Sequence, residues 1–347
     1  MSIGIDKLAH MNIPALSDIL LAHSAAEGTG VVAIGDLPKL LNAGNLKMPD
    51  SDETIAEHYR YMSGTQILIN ANFRNPINQR NKLKYTSTGY AIDMWRLNTF
   101  GDGFAELLPG VGIRLKSGPK ATSAAGFNQR FEANLLGCIV TLSVLDTQNR
   151  LLTVTSSILI DSSNWQVSKS ETDFGWIGLK YNGNNVFEFA ITSLDDTFVA
   201  AKLELGPFQT LAHKEGSKWV LNDPPPDYAT ELTKCQRYQV VIRLPTWSNS
   251  PASGATGTTQ NGLRVAFTIP ANMRRNLTVS FEGEIYADFL KSGEIENALI
   301  KSCIWSILDT PVSVRLALDA TPTDTVYPVI SISTKDSAAK IILDANL

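Results

Sequence analysis

Aromatic side chains beside amides are the residues of this sequence whose type and spacing best suit chemistry, and that chemistry is sugar binding. Trp165, Trp176 and Tyr181 fall in or near predicted turns of a β-rich stretch, and Asn182 and Asn184 follow Tyr181 closely. An indole ring packs on the C–H groups of a sugar, while amides hydrogen-bond its hydroxyls. Asparagine is also common in turns because it tolerates left-handed backbone geometry, so a structural role stays open.

A further tryptophan, Trp247, stands in a long polar stretch at residues 246–262 that is otherwise nearly all Ser, Thr, Gly, Asn, Pro, Ala and Gln. A loop of this length inside a compact domain tends to be functional or mobile. We expect Trp247 to be exposed. It then either contacts a receptor or folds back onto its own domain.

Catalytic motifs are missing from the sequence. No His-Glu-x-x-His, Gly-x-Ser-x-Gly or phosphate-loop pattern occurs. Asp195 and Asp196 are adjacent and would point to opposite faces of a strand, whereas Glu282 and Glu284 could share one. Hydrolysis of a glycan needs two carboxylates about 5–10 Å apart in a groove. We predict that the protein is not an enzyme and keep a glycan depolymerase as the alternative from another class. The four histidines stand alone: His10, His23, His58 and His213.

Charge and composition exclude several classes of protein. The 347 residues include 30 basic and 34 acidic ones, a net charge of −4, so we expect no binding to nucleic acid through clustered basic charge. Hydrophobic residues make up 44% and charged ones 18%, enough apolar material for a sizeable core. No apolar run is long enough to span a bilayer, so we expect no membrane insertion. The N-terminus lacks the pattern of a secretion signal, and the three cysteines lie far apart, which favours synthesis in a reducing cytoplasm.

The first 65 residues differ from the rest. A hairpin signal at residues 18–34 precedes two short helical patterns, which begin after Asp36 and Asp52. The segment has too little apolar surface for a robust core of its own. We interpret residues 1–65 as a module for anchoring or oligomerisation that contacts partner chains.

Residues 66–207 carry about nine short strand-like runs and no long helical pattern, which predicts an antiparallel β-sandwich of jelly-roll size. The runs lie at 66–70, 90–97, 112–116, 127–133, 138–145, 151–160, 175–181, 186–191 and 199–205.

Residues 208–239 are predicted to be a linker with a connector helix. Three prolines at 224–226 lead into a helix over 227–239, in which Tyr228, Leu232 and Cys235 keep helical spacing. Such a helix is a suitable place for chains to meet around an axis.

Residues 240–347 are β-rich again and predict a C-terminal β head domain. Its strand candidates lie at 240–244, 263–269, 277–285, 300–308, 312–318, 326–332 and 339–343.

Five segments, taken in order, carry a resemblance to a known family. They are ILINANFRNPINQR at 67–80, YAIDMW at 90–95, FNQRFE at 127–132, KLELG at 202–206 and ELTKCQRY at 231–238. Together they resemble bacteriophage and prophage tail-fibre or minor structural proteins. Those proteins carry a jelly-roll domain similar to carbohydrate-binding modules, then the Cys-Gln-Arg-Tyr helix and a C-terminal β-domain. The similarity covers about residues 66–240.

The resemblance implies a virion structural protein that is made in the cytoplasm of the bacterial host. It implies a homotrimeric tail fibre or receptor-binding protein, held to other virion proteins through residues 1–65 and adhering to host surface polysaccharide. A head (capsid) fibre or decoration protein is the alternative. Similar jelly rolls often hold a structural Ca²⁺, for which Asn72 and Glu204 would be possible ligands, although spacing alone does not supply the six or more oxygens needed. We expect no other cofactor.

The resulting prediction is a mainly β protein. It comprises a small α/β N-terminal anchor, a central antiparallel jelly-roll β-sandwich, a connector helix and a C-terminal β-sandwich, assembled as a trimeric fibre.

Overall fold

The computed structural model describes a strand pair near the N-terminus, most of the central region and the strands that follow. The described residues are 19–24, 28–33, 65–99, 102–118, 125–158, 165–244, 252–256, 263–269, 273–274, 277–291, 294–310, 313–318, 329–335 and 339–345. The helical patterns predicted after Asp36 and Asp52, and Trp247, lie outside these ranges. Met1–Gly64 with Phe208–Asp223 form one compact unit, and Thr65–Pro207 with Pro224–Leu347 form another.

The described elements are mainly antiparallel β-strands, as predicted, with one helix. The strands of the first half are β1 (Ile19–Ser24), β2 (Gly28–Ala33), β3 (Lys84–Tyr85), β4 (Gly89–Tyr90), β5 (Arg96–Asn98), β6 (Phe104–Leu108), β7 (Gly112–Lys116), β8 (Ala125–Glu132), β9 (Ile139–Asp146), β10 (Leu151–Ser157), β11 (Trp165–Glu171), β12 (Gly175–Tyr181), β13 (Val186–Ser193) and β14 (Asp195–Leu205). The remaining elements are β15 (Ala212–Glu215), β16 (Lys218–Leu221), the helix α1 (Tyr228–Gln236), β17 (Gln239–Arg243), β18 (Ala252–Thr256), β19 (Leu263–Thr268), β20 (Leu277–Glu282), β21 (Ile285–Lys291), β22 (Glu294–Leu299), β23 (Cys303–Thr310), β24 (Ser313–Leu318), β25 (Val329–Thr334) and β26 (Lys340–Ala345).

Two hairpins are described in the first unit. Strands β1 and β2 pair antiparallel where the sequence predicts a hairpin, although β2 already begins at Gly28. Strands β15 and β16 form the second hairpin, and Gly216 in its turn has a φ of 62°. This hairpin lies inside the stretch predicted as linker. The sequence did not indicate it, because its four-residue strands show no regular alternation of apolar and polar residues.

Two six-stranded antiparallel sheets make up the central region. The back sheet has the order β10-β9-β14-β7-β6-β3, and the front sheet has the order β11-β12-β13-β8-β5-β4. Leu142 and Leu203 of the back sheet share one buried core with Phe127 and Phe189 of the front sheet. Two sheets that bury their facing sides in one core have the arrangement of a β-sandwich.

Regular alternation of apolar and polar residues explains where the strands form. In β12, Ile177 and Leu179 enter the core, so Trp176, Gly178 and Lys180 lie on the opposite side of the front sheet, which we call the front face. Strands β7 and β12 have the predicted bounds.

The single strand predicted over 90–97 is wrong, because the chain reverses within it. The structure has β4 and β5 paired as a tight hairpin instead. Met94 has a φ of 70° in the turn, and the Trp95 backbone N–H donates to Ile92 O at 3.0 Å. Apolar residues on both arms of so short a turn look like one continuous strand in the sequence.

Trp95 is the centre of the sandwich core. Its side chain is fully buried, and its ring stacks on Phe127 with centroids 5.0 Å apart and an interplanar angle of 13°. Phe73 meets the Trp95 ring edge-on at the same centroid distance of 5.0 Å. The indole Nε1 donates to Asn70 O at 2.9 Å. Trp95 therefore holds the 67–73 segment in the core.

Helix α1 packs against this core within the same chain. Asp227 is the N-cap and accepts from Thr230 N at 2.8 Å. Leu232 and Cys235 contact the sandwich core, whereas the Tyr228 side chain is 64% exposed. The apolar side of the predicted connector helix is thus occupied within one chain, and the helix ends at Gln236 rather than at 239.

The described part of the chain contains no helix whose length and apolar character would suit a membrane crossing.

The C-terminal strands form three antiparallel sheets around a second core. The sheet orders are β17-β26-β20, β18-β19-β24-β23 and β22-β21-β25. Phe267, Leu316 and Ile341 lie in this core. Strand β18 pairs with β19 inside the stretch predicted as a continuous loop at 246–262, so that prediction is wrong for residues 252–256. The small residues of β18, Ala-Ser-Gly-Ala-Thr, show no alternation of apolar and polar side chains that would indicate a strand.

Polar contacts tie the sandwich to the C-terminal strands. The Gln79 side chain donates from Nε2 to Gln239 O at 2.9 Å. Arg80 Nη2 lies 3.3 Å from an Asp344 carboxylate oxygen, and Arg80 Nη1 lies 3.7 Å from Glu282. Gln79 and Arg80 end the first of the five family-like segments, so part of that segment serves a structural purpose.

Candidate functional site

Trp165 and Trp176 meet on the front face. Their ring centroids are 4.7 Å apart with an interplanar angle of 87°, an edge-to-face pair. The Trp165 side chain is 37% exposed, and Trp176 is half-buried. Gly178 lies beneath the two rings, and a Cβ placed there would overlap the Trp176 ring and come within 3.0 Å of Trp165. The glycine therefore makes room for the tryptophan pair.

A cavity of about 180 Å³ opens on the same face of the sheet. It is lined by Tyr90, Met94, Arg96, Asn98, Asn128, Arg130 and Glu188. The alternation of β5, β8 and β13 places these polar residues outside, because Leu97, Phe127 and Phe189 point into the core. Register then sets Arg96 opposite Asn128, and Arg130 opposite Glu188.

Glu188, which lines the cavity, accepts hydrogen bonds from three neighbouring side chains. It accepts a hydrogen bond from Asn128 Nδ2 at 2.6 Å and from Arg130 Nε at 3.0 Å. Asn182 Nδ2 donates to the same carboxylate at 3.3 Å. Burial raises the pKa of Glu188, but the hydrogen bonds from Asn128 and Arg130 and the charge of Arg130 outweigh it and lower the pKa below its ordinary value. Glu188 is therefore ionised at neutral pH and fixes the two donors.

Asn128 also offers an acceptor. Its side chain is 9% exposed, and its buried Oδ1 accepts no hydrogen bond from the residues that the structure describes. Buried polar atoms without a partner are rare in folded proteins. Because this oxygen is itself buried, a ligand in the cavity would have to turn the Asn128 amide before it could bond to it.

The tryptophan pair and the cavity are neighbours across the sheet. Gly178 pairs with Ala190, and Ala190 pairs with Asn128. Two strand spacings of about 4.8 Å each therefore separate the glycine beneath the rings from the cavity wall. Between the tryptophan pair and the cavity the front face carries only Gly178 and Ala190 along this line, and neither side chain projects far from the sheet. One oligosaccharide could therefore contact both the rings and the cavity.

The structure separates the remaining predicted sugar-binding residues. Tyr181 packs against the core, with its ring centroid 5.1 Å from that of Phe187, so it does not lie beside the tryptophans on the front face. Asn182 is connected to the cavity by the hydrogen bond that its Nδ2 donates to Glu188, one of the lining residues. Asn184 has a φ of 51° and lies in the β12–β13 turn, where asparagine suits the backbone geometry. Trp247 is outside the described residues.

The two predicted metal ligands lie on the back sheet and are not brought together. Asn72 forms an isolated bridge with Ala200. Glu204 is four residues further along β14, on the order of 13 Å away at the rise of a strand. Glu204 is only 1% exposed. The described residues include no group of three or more His, Cys, Asp and Glu side chains that could hold a metal ion. Calcium binding stays a prediction.

Sequence reasoning missed most of the cavity. Asn128 and Arg130 belong to the FNQRFE segment, and Arg96 follows Trp95. The available signal was polar residues at every second position of runs whose other positions are apolar. That signal places a side chain on a face, but it does not show which strands lie side by side.

Comparison with family models, curated proteins and solved structures finds no match for this chain.

Proposed function

We propose that this protein is a non-catalytic carbohydrate-binding structural protein of a bacteriophage virion, a tail fibre or receptor-binding protein that adheres to host surface polysaccharide. One observation supports the carbohydrate-binding part most strongly. A partly exposed tryptophan pair lies beside a cavity lined by arginine, asparagine, tyrosine and glutamate on one face of a β-sandwich. Aromatic faces with a few convergent polar groups suit a sugar.

The strand order of the two sheets supports a jelly roll, the domain class that the family resemblance implies. The virion assignment depends on that resemblance, with residues 1–65 joining the fibre to other virion proteins. A homotrimer would carry three copies of the front face. Several weak sites on one particle then give high avidity without a tight individual site.

A double variant tests the carbohydrate-binding proposal. Trp165→Ala with Trp176→Ala removes the ring pair, and the full chain is then tested on a panel of immobilised bacterial surface polysaccharides. We expect binding seen with the unmodified chain to disappear. Tyr228→Ala is the matched control, because it removes an exposed aromatic ring from helix α1, away from the front face. Equal binding by all three proteins would contradict the proposal.

The oligomeric state tests the fibre. Light scattering of the full chain should give three times the chain mass of 37.8 kDa. A monomer would argue strongly against a trimeric fibre while leaving carbohydrate binding open.

The non-catalytic role has its own test. Incubation of the full chain with a polysaccharide that it binds should release no new reducing ends. Release of reducing ends would favour the depolymerase alternative.

A further inference from the structure

We propose that the front-face cavity selects an anionic sugar residue, one that carries a carboxylate or a phosphate group. This inference rests on the proposed carbohydrate-binding function and names the class of glycan. It comes from the charges around the cavity, which differ in sign from the chain as a whole.

Positive charge exceeds negative charge at this site. Arg96 and Arg130 line the cavity against one carboxylate, that of Glu188. Lys180 lies opposite Glu188 on the neighbouring strand and adds a further cation to the front face. The whole chain has a net charge of −4, so this local excess does not follow from composition.

Glu188 does not neutralise Arg96. One of its oxygens accepts from Asn128, and the other accepts from Arg130. Arg96 forms no ion pair with any residue in the described part of the chain. Its guanidinium is exposed at the cavity wall, opposite Asn128. Of the two arginines that line the cavity, Arg96 is therefore the one that remains available to a ligand.

A sugar anion fits this arrangement better than a simple ion. The planar guanidinium fork of arginine matches the two oxygens of a carboxylate or a phosphate. Asn98 lines the cavity two residues along β5 from Arg96, and its amide can bond sugar hydroxyls. The nearby tryptophan pair supplies an apolar surface that a bare anion would not use.

Paired glycans of equal length test this selection with the full chain. The first pair is an oligogalacturonate and the same oligosaccharide after its carboxyl groups have been reduced to alcohols. The second pair is a phosphate-bearing oligosaccharide and its phosphatase-treated form. We expect one anionic member to bind about tenfold more tightly than its neutral partner, as one charge-assisted hydrogen-bonded pair would give. The pair that shows this difference identifies the anion.

Variants then locate the effect. Arg96→Gln should weaken binding of the anionic member much more than that of the neutral one, so that the difference in affinity between the two disappears. Arg74→Gln is the matched control, because Arg74 is an exposed arginine beside Gly110, far from the cavity-lining residues. Circular dichroism shows that each variant folds.

The outcomes separate this inference from the function on which it rests. If anionic and neutral partners bind equally and Arg96→Gln does not change their affinities, the proposed selection of an anionic sugar is overturned and carbohydrate binding is left intact. An unmodified chain that binds no glycan, neutral or anionic, would overturn both.

Discussion

Gly178 lies directly beneath the indole of Trp176, and its missing side chain leaves the space that the Trp165–Trp176 pair occupies. The glycine sits in the middle of β12, where this residue type normally weakens a strand because it gains no packing and loses more backbone freedom. Its presence there is explained by the rings above it.

Gly178→Ala should therefore reduce glycan affinity. Within a strand this substitution ordinarily stabilises a protein by about 0.5–1 kcal/mol. Here the new methyl group overlaps the Trp176 ring, so we expect the pair to move apart, the gain in stability to be lost and glycan affinity to fall severalfold. Near-ultraviolet circular dichroism and a glycan titration measure the two effects.

Ser157→Thr is the control, since it also adds one methyl group but on the exposed end of β10. It should leave the tryptophan signal and glycan affinity unchanged. If Gly178→Ala behaved in the same way, the glycine would not be needed for the ring pair.

Two tryptophans of the sandwich should differ sharply in their contribution to stability. Trp95 is fully buried, so Trp95→Ala should lower the free energy of unfolding by about 3–5 kcal/mol. Trp165 is 37% exposed, so Trp165→Ala should cost about 1 kcal/mol. Urea unfolding measures both. Similar costs for the two substitutions would mean that Trp95 does not hold the core together.

The strands show which parts of the fold the sequence could predict and which it could not. Regular alternation predicts β7 and β12, and their bounds are confirmed. It fails at β4 and β5, because Met94 reverses the chain within one apolar run. It also fails at β18, whose small residues show no alternation and form an edge strand of the four-stranded C-terminal sheet.

For the candidate site, sequence reasoning singled out Trp165 and Trp176, which the structure brings together. It missed Arg96, Asn128 and Glu188, because they come from three different strands. Their proximity depends on the order β13-β8-β5 in the front sheet, and pairing between distant segments leaves no local pattern.

Asp93 should make stability depend on pH. Burial raises the pKa of Asp93 from 3.8 to about 6, although hydrogen bonds from the Gln79 side chain and backbone oppose the shift. Between these two values the folded protein holds a proton that the unfolded chain releases, so stability falls as pH rises and then levels off above pH 6. A shift of this size corresponds to on the order of 2–3 kcal/mol.

Asp93→Asn isolates this contribution, because an amide does not titrate. The free energy of unfolding, measured in urea at pH 4 and pH 7, should fall less between the two values in the variant than in the unmodified chain. The dependence of the free energy of unfolding on pH does not vanish in the variant, because burial also raises the pKa values of Asp196 and Asp344. Asp102→Asn, at an exposed carboxyl, is the control. An unchanged slope in Asp93→Asn would contradict the assignment.

Arg80 and Asp344 should be energetically coupled, because both are largely buried where the sandwich meets the C-terminal strands. Their side chains are 11% and 13% exposed. Arg80→Met leaves the Asp344 carboxylate buried without its cation, and removing one partner of a buried pair costs about 3 kcal/mol or more. Glu282 still has Lys82 and Lys340 nearby, so the main effect falls on Asp344.

A double-mutant cycle measures the coupling. Asp344→Asn is the second substitution, because an amide oxygen can still accept from Gln239 Nε2, which donates to Asp344 at 2.5 Å. The double variant should be more stable than the sum of the two single losses predicts, by at least about 1 kcal/mol, since it contains neither unpaired charge. Urea unfolding of all four proteins gives the value. Additive losses would mean that the pair does not join the sandwich to the C-terminal strands, and that the Gln79–Gln239 hydrogen bond and its neighbours do so instead.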